Sequence, residues 1–396
     1  MYDLRRLGRL HLELSSRCNA SCPACSRNLA GGPVSPNLKI TELTIDDIKQ
    51  FFPEVFARNL IGINYCGNVG DPGMALDLLP ILEYFQSTSR KNIAQQVRTN
   101  GGMRKPEFWQ DVGKFFAGLP KRPDESHIFY HPAVVFSVDG LEDTNHLYRR
   151  GVRWDKVMAN MEAYASTGAF GIWEFLVFEH NQHQLEDAKK LADKLGFAFS
   201  PKNPMGFGEY NGKPQGMNVY AKTGEYEYTI YPSDFTGERT IMPENFKVDF
   251  TKAMTEQVPE LSDFSKDLAS TSGIRCKSIE PLSQELYVSS TGHMLPCCFL
   301  GGVFGQFNTS YSRWQFNHKI KEMGIDKIDL RQNSIYDILT GPYFSKFFTD
   351  GWKHETVEEG KLLYCVETCG SISAIDKLYR TKTIDKKFLN AGETNV

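Results

Sequence analysis

The chain has 396 residues, 41% of them hydrophobic and 23% charged, with 45 Lys and Arg against 48 Asp and Glu for a formal net charge of −3. At about 150 residues per domain this length predicts two or three domains, or one large α/β domain with an appendage, and the composition excludes disordered and collagen-like chains. The charge gives no global attraction to nucleic acid and leaves only a local basic groove open; Arg149, Arg150 and Arg153 form the one tight basic group. No apolar run approaches the roughly 18 residues of a membrane span, and Met1–Arg17 lacks a signal-peptide core, so a soluble, cytoplasmic protein is expected.

Residues 9–200 alternate short apolar runs with helical patterns. Strands are predicted at Arg9–Ser15, Ile61–Cys66, Ile93–Arg98, Ala133–Val138, Ile172–Phe178 and Phe197–Ser200. Between them, helices are predicted near Thr44–Arg58, Ala75–Gln86, Lys105–Ala117, Trp154–Ser166 and Gln184–Leu195. Thr44 suits an N-cap with Asp46 and Asp47 at the positive end, and Gly196 suits the position just past the last helix. Six strands separated by helices imply βαβ units, hence a parallel sheet or partial barrel with its chemistry at the C-terminal strand ends. Gly118–Pro132 reads as a loop insertion, and residues 201–275 as a long connection with little pattern. In the Cys-rich region that follows, Glu285–Ser290 and His293–Leu295 flank Thr291-Gly292 as a hairpin, and the tail from Asp376 is polar.

Nine cysteines without a secretion signal argue against a disulfide framework and for metal or redox work. Cys18-x3-Cys22-x2-Cys25 follows the first strand directly. Three thiolates on one loop suit three irons of a [4Fe–4S] cluster and leave the fourth iron open. Zinc is the alternative and wants a fourth ligand; His11 is the near candidate, although as a strand residue it points into the fold.

Cys18-Asn-Ala-Ser-Cys22-Pro-Ala-Cys25 resembles the motif of radical S-adenosylmethionine (radical SAM) enzymes, and the resemblance covers most of Arg9–Ser200. It implies a partial (β/α)6 TIM-like barrel in which the open iron chelates the amino and carboxylate groups of S-adenosylmethionine. Reductive cleavage there yields a 5′-deoxyadenosyl radical that takes hydrogen from a substrate. Ala24 departs from the aromatic residue often found before the third cysteine, so adenine packing must come from elsewhere. Gly67-Asn-Val-Gly70-Asp71-Pro72 resembles the family's Gly-Gly-Glu-Pro segment for the methionine amino group, with Asp71 in place of Glu. Thr99-Asn100-Gly101 and Ser137-Val-Asp139-Gly140 end the third and fourth strands. By the same resemblance Thr99 and Asn100 contact cofactor or substrate, and Ser137 and Asp139 reach ribose or carboxylate. Arg149 or Arg150 would pair with the methionine carboxylate, against the plain alternative of a solvated pair, and Asn181 is a weaker candidate.

The C-terminal cysteines resemble the twitch and SPASM auxiliary-cluster domains of the same family. The resemblance implies one additional [4Fe–4S] cluster on Cys276, Cys297, Cys365 and Cys369, with a zinc site on the same four as the alternative and Cys298 spare. The implied layout is a core at 1–200, a connection at 201–275, a small Cys-rich α+β domain at 276–375 and a tail at 376–396. Cys66 reads as core packing, His180 and His183 as surface or capping residues, and Trp314–Phe316 and Tyr343–Phe348 as core. Gly206-x-Gly208 is no dinucleotide loop.

The leading expectation is therefore a radical SAM oxidoreductase whose auxiliary cluster accepts an electron or shapes the pocket. Peptide or protein modification ranks first by resemblance. A leader-binding module is common in peptide modifiers, and because the first strand here begins by about Arg9, a small molecule or nucleotide is the alternative. A flavodoxin or ferredoxin is the expected low-potential electron donor. A non-catalytic zinc or iron–sulfur protein is the competing class.

Overall fold

The computed structural model describes residues 2–3, 5–89, 93–119, 131–204, 207, 209–210, 213–236, 239, 242, 246–248, 258–279, 283–306 and 310–371. Strands β1 (Leu7–Leu12), β2 (Gly62–Tyr65), β3 (Ala94–Thr99), β4 (Ala133–Ser137), β5 (Gly171–Leu176) and β6 (Phe197–Lys202) pair in chain order, every pair parallel. All six fall where the apolar runs predict them. The intervening helices are α1 (Ile45–Phe51), α2 (Glu54–Ala57), α3 (Leu78–Thr88), α4 (Pro106–Ala117), α5 (Asn145–Tyr148), α6 (Trp154–Ala165) and α7 (Leu185–Lys194). Thr44 caps α1 as expected: its hydroxyl accepts the Asp47 N–H at 3.1 Å, and Asp47 accepts the Thr44 N–H at 2.9 Å. The single helix predicted over Thr44–Arg58 is two, because Pro53 has no N–H to continue the first and begins the second. Gly196 sits past α7 with φ +72°.

Strand parity divides the sheet chemically. Leu10, Leu12, Ile63, Tyr65, Val97, Val134, Phe136, Trp173, Phe175, Phe197 and Phe199 alternate onto one face and are buried with helix residues such as Ile48, Ile81, Phe85, Trp109, Val157 and Met161. At roughly 1.5–3 kcal/mol for each large apolar side chain removed from water, this face supplies most of the cohesion. The other face carries His11, Asn64, Gln96, Arg98, Glu174 and Lys202 by register. Its base is closed by a small apolar cluster of Ala133, Val135 and Ile172. Helices on the outside and polar residues on the inside make a partial TIM-like barrel.

The connection 201–275 has more structure than its composition suggests. It contains β7 (Glu209–Tyr210) with β8 (Lys213–Pro214), β9 (Met217–Tyr220) with β10 (Tyr226–Ile230), and helix α8 (Asp263–Thr271). Short antiparallel pairs escape a reading tuned to longer apolar runs. The predicted hairpin forms: β11 (Gln284–Val288) pairs antiparallel with β12 (Met294–Leu295). It also joins the core sheet, because β11 lies parallel to β1, and the order becomes β12-β11-β1-β2-β3-β4-β5-β6. Most of the insertion Gly118–Pro132, both glycines of the discounted Gly206-x-Gly208, and the tail from Asp376 lie outside the described residues. Among the described residues no helix is long and apolar enough to cross a membrane.

Candidate active site

Cys18, Cys22 and Cys25 lie on the loop that leaves β1, at the C-terminal ends of the strands. The loop is tied down by its own backbone, with Cys25 N–H donating to the Cys22 carbonyl at 3.0 Å and Ser21 N–H to the Arg150 carbonyl at 2.9 Å. Donors from the loop itself and from two other segments face its sulfurs. The backbone N–H of Ala20 points at Cys18 Sγ (3.4 Å), that of Arg27 at Cys25 Sγ (3.4 Å), Asn100 Nδ2 at Cys18 Sγ (3.6 Å) and Arg149 Nη1 at Cys22 Sγ (3.8 Å). Burial pushes the Cys18 thiol up, and the negative neighbours Asp71, Cys22 and Cys25 push it further. Burial and Cys22 likewise raise Cys25, to about 12. Burial and the neighbouring negative groups make these thiols poor isolated acids, and the N–H groups around them work the other way, stabilising thiolate charge.

The segment after β2 packs directly on this loop. A Cβ at Gly70 would lie 1.7 Å from the Ser15 carbonyl oxygen, so glycine is required for close approach of the chain to itself. Asp71 N–H donates to the Arg17 carbonyl at 2.9 Å, and Arg27 Nη1 to the Val69 carbonyl at 2.9 Å. The Asp71 carboxylate, expected to face a ligand amine, accepts the Gly73 N–H (2.9 Å) and the Asn100 N–H (2.8 Å). Burial raises its pKa, with those two N–H groups and Thr99 opposing. Asp71 thus welds the β2 and β3 ends together. Thr99 and Asn100 are buried there, and Asn100 Nδ2 also donates to Asn19 Oδ1 at 2.9 Å.

The β4 end is built around another pair. Asp139 is fully buried, accepts Arg149 Nε at 2.5 Å and takes the Leu176 N–H at 2.7 Å. Sequence reasoning assigns these two residues to separate parts of a ligand, whereas the fold pairs them with each other. Asn181 is engaged too, donating to the Asp139 carbonyl (3.0 Å) and the Leu176 carbonyl (2.9 Å). Ser137 lies opposite Glu174 in the β4–β5 register, half-buried on the inner face. Arg150 is not brought in by its side chain, which pairs with Glu227 and meets the Tyr228 hydroxyl at 3.2 Å. His11 turns Nε2 to the Cys66 carbonyl (3.0 Å), away from the cysteine loop.

The C-terminal cysteines act on one another's charge. Burial pushes the Cys297 thiol well up, and Cys298, Cys365 and Cys276 add to the rise. Cys365 is raised by burial, opposed by the N–H of Trp352, and raised again by Cys276 and Cys369. Trp352 Nε1 is buried and meets no hydrogen-bond partner at normal length. Cys297 precedes helix α9 (Cys298–Val303), while Cys365 and Cys369 lie on the last described helix, Leu363–Cys369. Burial raises the Cys298 thiol to about 12, and Cys66 adds to the rise. Among the described residues no group of three or more His, Cys, Asp or Glu side chains is placed so that it could hold a metal ion, at either cysteine group.

Several contributors escape the motif reading. Arg98 on β3 donates to Glu174 at 2.5 Å, to Asn64 at 3.1 Å and to Gln96 at 3.2 Å, and Lys202 reaches Glu174 at 2.5 Å. Burial opposes ionisation of Glu174, yet the two cations outweigh it and bring the pKa down to about 2. Glu13 is buried beneath the Gly67–Asp71 segment, accepting the Val69 N–H at 2.7 Å and the Gly70 N–H at 3.0 Å. The period-two alternation His11, Glu13 within an apolar run was the signal available for it.

No family model and no curated protein matches the chain. Among solved structures it is similar to Streptococcus suis SuiB bound to S-adenosylmethionine, at 16% identity over 74% of this chain and 61% of that one, with a TM-score of 0.44. It is similar to SuiB bound to precursor peptide SuiA at 15% identity, 75% and 61% coverage and a TM-score of 0.44. Native anSMEcpe with bound AdoMet and Cp18Cys peptide is similar at 14% identity, 91% and 87% coverage and a TM-score of 0.44. The chain spans 61% of the length of these SuiB chains.

Proposed function

We propose that this chain is a radical SAM enzyme with an open-iron [4Fe–4S] site on Cys18, Cys22 and Cys25. The observation that carries the reading is the convergence of N–H donors from Ala20, Arg27, Asn100 and Arg149 on three sulfurs of one loop. Such donors stabilise thiolate charge and tune a cluster, which fits the donor chemistry of an iron–sulfur site. When bound, the cluster supplies an electron and an open iron through which S-adenosylmethionine is cleaved to the radical that takes hydrogen from substrate. The protein's part is orientation and exclusion of water. Asp71 holds the β2 and β3 ends in one piece, and the Asp139–Arg149 pair fixes a cation beside Cys22. Gly70, Asp71, Thr99, Asn100, Ser137 and Asp139 frame the space offered to S-adenosylmethionine, with Arg149 the cation facing it and Arg150 an outer support.

A second [4Fe–4S] cluster on Cys276, Cys297, Cys365 and Cys369 belongs to the same reading. Its support is the electrostatic coupling of Cys297 to Cys365 and Cys276 and of Cys365 to Cys276 and Cys369, with the buried Trp352 N–H acting on Cys365. The substrate is a peptide or protein, with a flavodoxin or ferredoxin as donor, in a core at 1–200 followed by an auxiliary region at 276–375. A small molecule or nucleotide substrate is the second reading, favoured by the charged inner face of Arg98, Glu174 and Lys202. Anaerobic reconstitution tests the whole. About eight irons in the parent, four in the Cys18/Cys22/Cys25→Ala protein, and 5′-deoxyadenosine only from the parent are expected. Zinc without iron, and no cleavage, would sink it.

A further inference from the structure

The segment Gly67–Asp71 is held by the C-terminal part of the chain as well as by the barrel. Glu13 extends the inner row of β1 and is 2% exposed. Its carboxylate accepts the Val69 and Gly70 N–H groups on one side, and on the other the hydroxyl of Tyr287, 274 residues away in β11. Tyr287 reaches it because β11 lies parallel to β1 with His11 opposite Tyr287, which puts His11, Glu13 and Tyr287 on one face. A second bridge runs beside the first: Asn68 Nδ2 donates to the Cys298 carbonyl at 2.9 Å, while the Asn68 carbonyl accepts from Cys25 Sγ at 3.4 Å. The five-residue segment is therefore clamped between the first cysteine loop and, from the C-terminal region, β11 and the first residue of α9.

We propose that Glu13 and Tyr287 are positioning residues for S-adenosylmethionine, joining the C-terminal region to the cofactor site through the backbone of Val69 and Gly70. The inference rests on the radical SAM reading above. A buried carboxylate with only N–H and O–H partners is held by all of them, and losing one donor loosens the rest. Without the Tyr287 hydroxyl the carboxyl group loses its anchor to β11. With Gln in place of Glu13 one oxygen acceptor becomes an NH2 donor facing backbone N–H groups.

The test uses the full chain, reconstituted anaerobically, as parent, Tyr287→Phe, Glu13→Gln and the exposed control Tyr336→Phe. Iron content, equilibrium binding of S-adenosylmethionine, and KM and kcat for its cleavage are measured, with hydrogen exchange at the Val69 and Gly70 amides of metal-free protein. One lost hydrogen bond of about 1 kcal/mol corresponds to about a fivefold change. Tyr287→Phe and Glu13→Gln are expected to keep the parent's iron, exchange those amides faster, and bind S-adenosylmethionine about five- to tenfold more weakly with kcat near the parent's. Tyr336→Phe is expected to match the parent. Unchanged affinity in Tyr287→Phe with iron retained overturns the proposal, as does loss of iron and affinity together. Tyr287→Phe, the near-isosteric change, decides if Glu13→Gln does not fold. A parent that binds neither iron nor S-adenosylmethionine overturns the radical SAM reading itself, a result visible before any variant is made.

Discussion

The two faces of the central sheet are made by the same strands and obey different physics. Outward residues such as Phe136, Trp173 and Phe199 meet helices and rings; Phe136 alone has Trp109, Tyr164 and Phe197 centroids at 5.6 Å. Inward residues one position away meet ions and carbonyls, as Arg98, Glu174 and Lys202 do. The outer face accounts for cohesion without specifying direction, whereas the inner face spends its polar groups on fixed angles. A sheet of one parity could fold without a site, and the other parity supplies the site without much cohesion.

Four experiments would break or sharpen that contrast. Phe136→Ala on the outer face is expected to cost about 3–5 kcal/mol in denaturant unfolding, the largest effect, because the stacked Phe197 ring cannot collapse into the space. A loss below about 1 kcal/mol would mean the outer face is far more forgiving than its burial suggests.

On the inner face, burial lowers the His11 pKa from 6.5 to about 4, with the Cys66 carbonyl opposing. The unfolded chain then binds the extra proton between those values, so stability is full above about 6.5 and falls as pH drops toward 4, by about 3 kcal/mol in all. His11→Asn should flatten that part of the pH–stability curve; an unchanged slope would place the proton elsewhere.

Glu174→Gln leaves Arg98 and Lys202 facing each other and should cost about 1–3 kcal/mol near neutral pH. Its folded pKa near 2 lies below the ordinary 4.5, so its stabilisation is present above about 4.5 and is lost as pH falls toward 2. The variant should lack that acid-limb loss when unfolding is followed by circular dichroism. Thr44→Ala, on neither face, removes one cap and should cost only about 1 kcal/mol, which thermal unfolding would register.

Much of the barrel was legible because strand parity and helix period are local signals. Val134, Phe136 and Val138 announce their face within five residues, and Thr44 announces its helix through Asp47 three residues on. The site was legible as residues but not as partnerships. Asp71 and Asp139 sit where ligand contacts were expected, and each is taken up by the chain: Asp71 by the Gly73 and Asn100 N–H groups, Asp139 by Arg149 and the Leu176 N–H. A carboxylate at a strand end looks the same in sequence whichever partner claims it. Arg150 went to Glu227 because β10 folds back past the cysteine loop, which nothing near Arg150 encodes. The Glu13–Tyr287 contact depends on β11 docking along β1 after a very long excursion of chain, beyond the reach of any local pattern.

The sheet ends on β12 at one side and β6 at the other. An open sheet carries two rows of unspent backbone groups, and each row is a template on which a second chain can add a strand. Here β12 is two residues long, too short to seed a ladder, and β6 carries Pro201, which lacks an N–H to offer. An unclosed barrel of this kind keeps its mouth free for a ligand while giving little purchase to self-association through its rims.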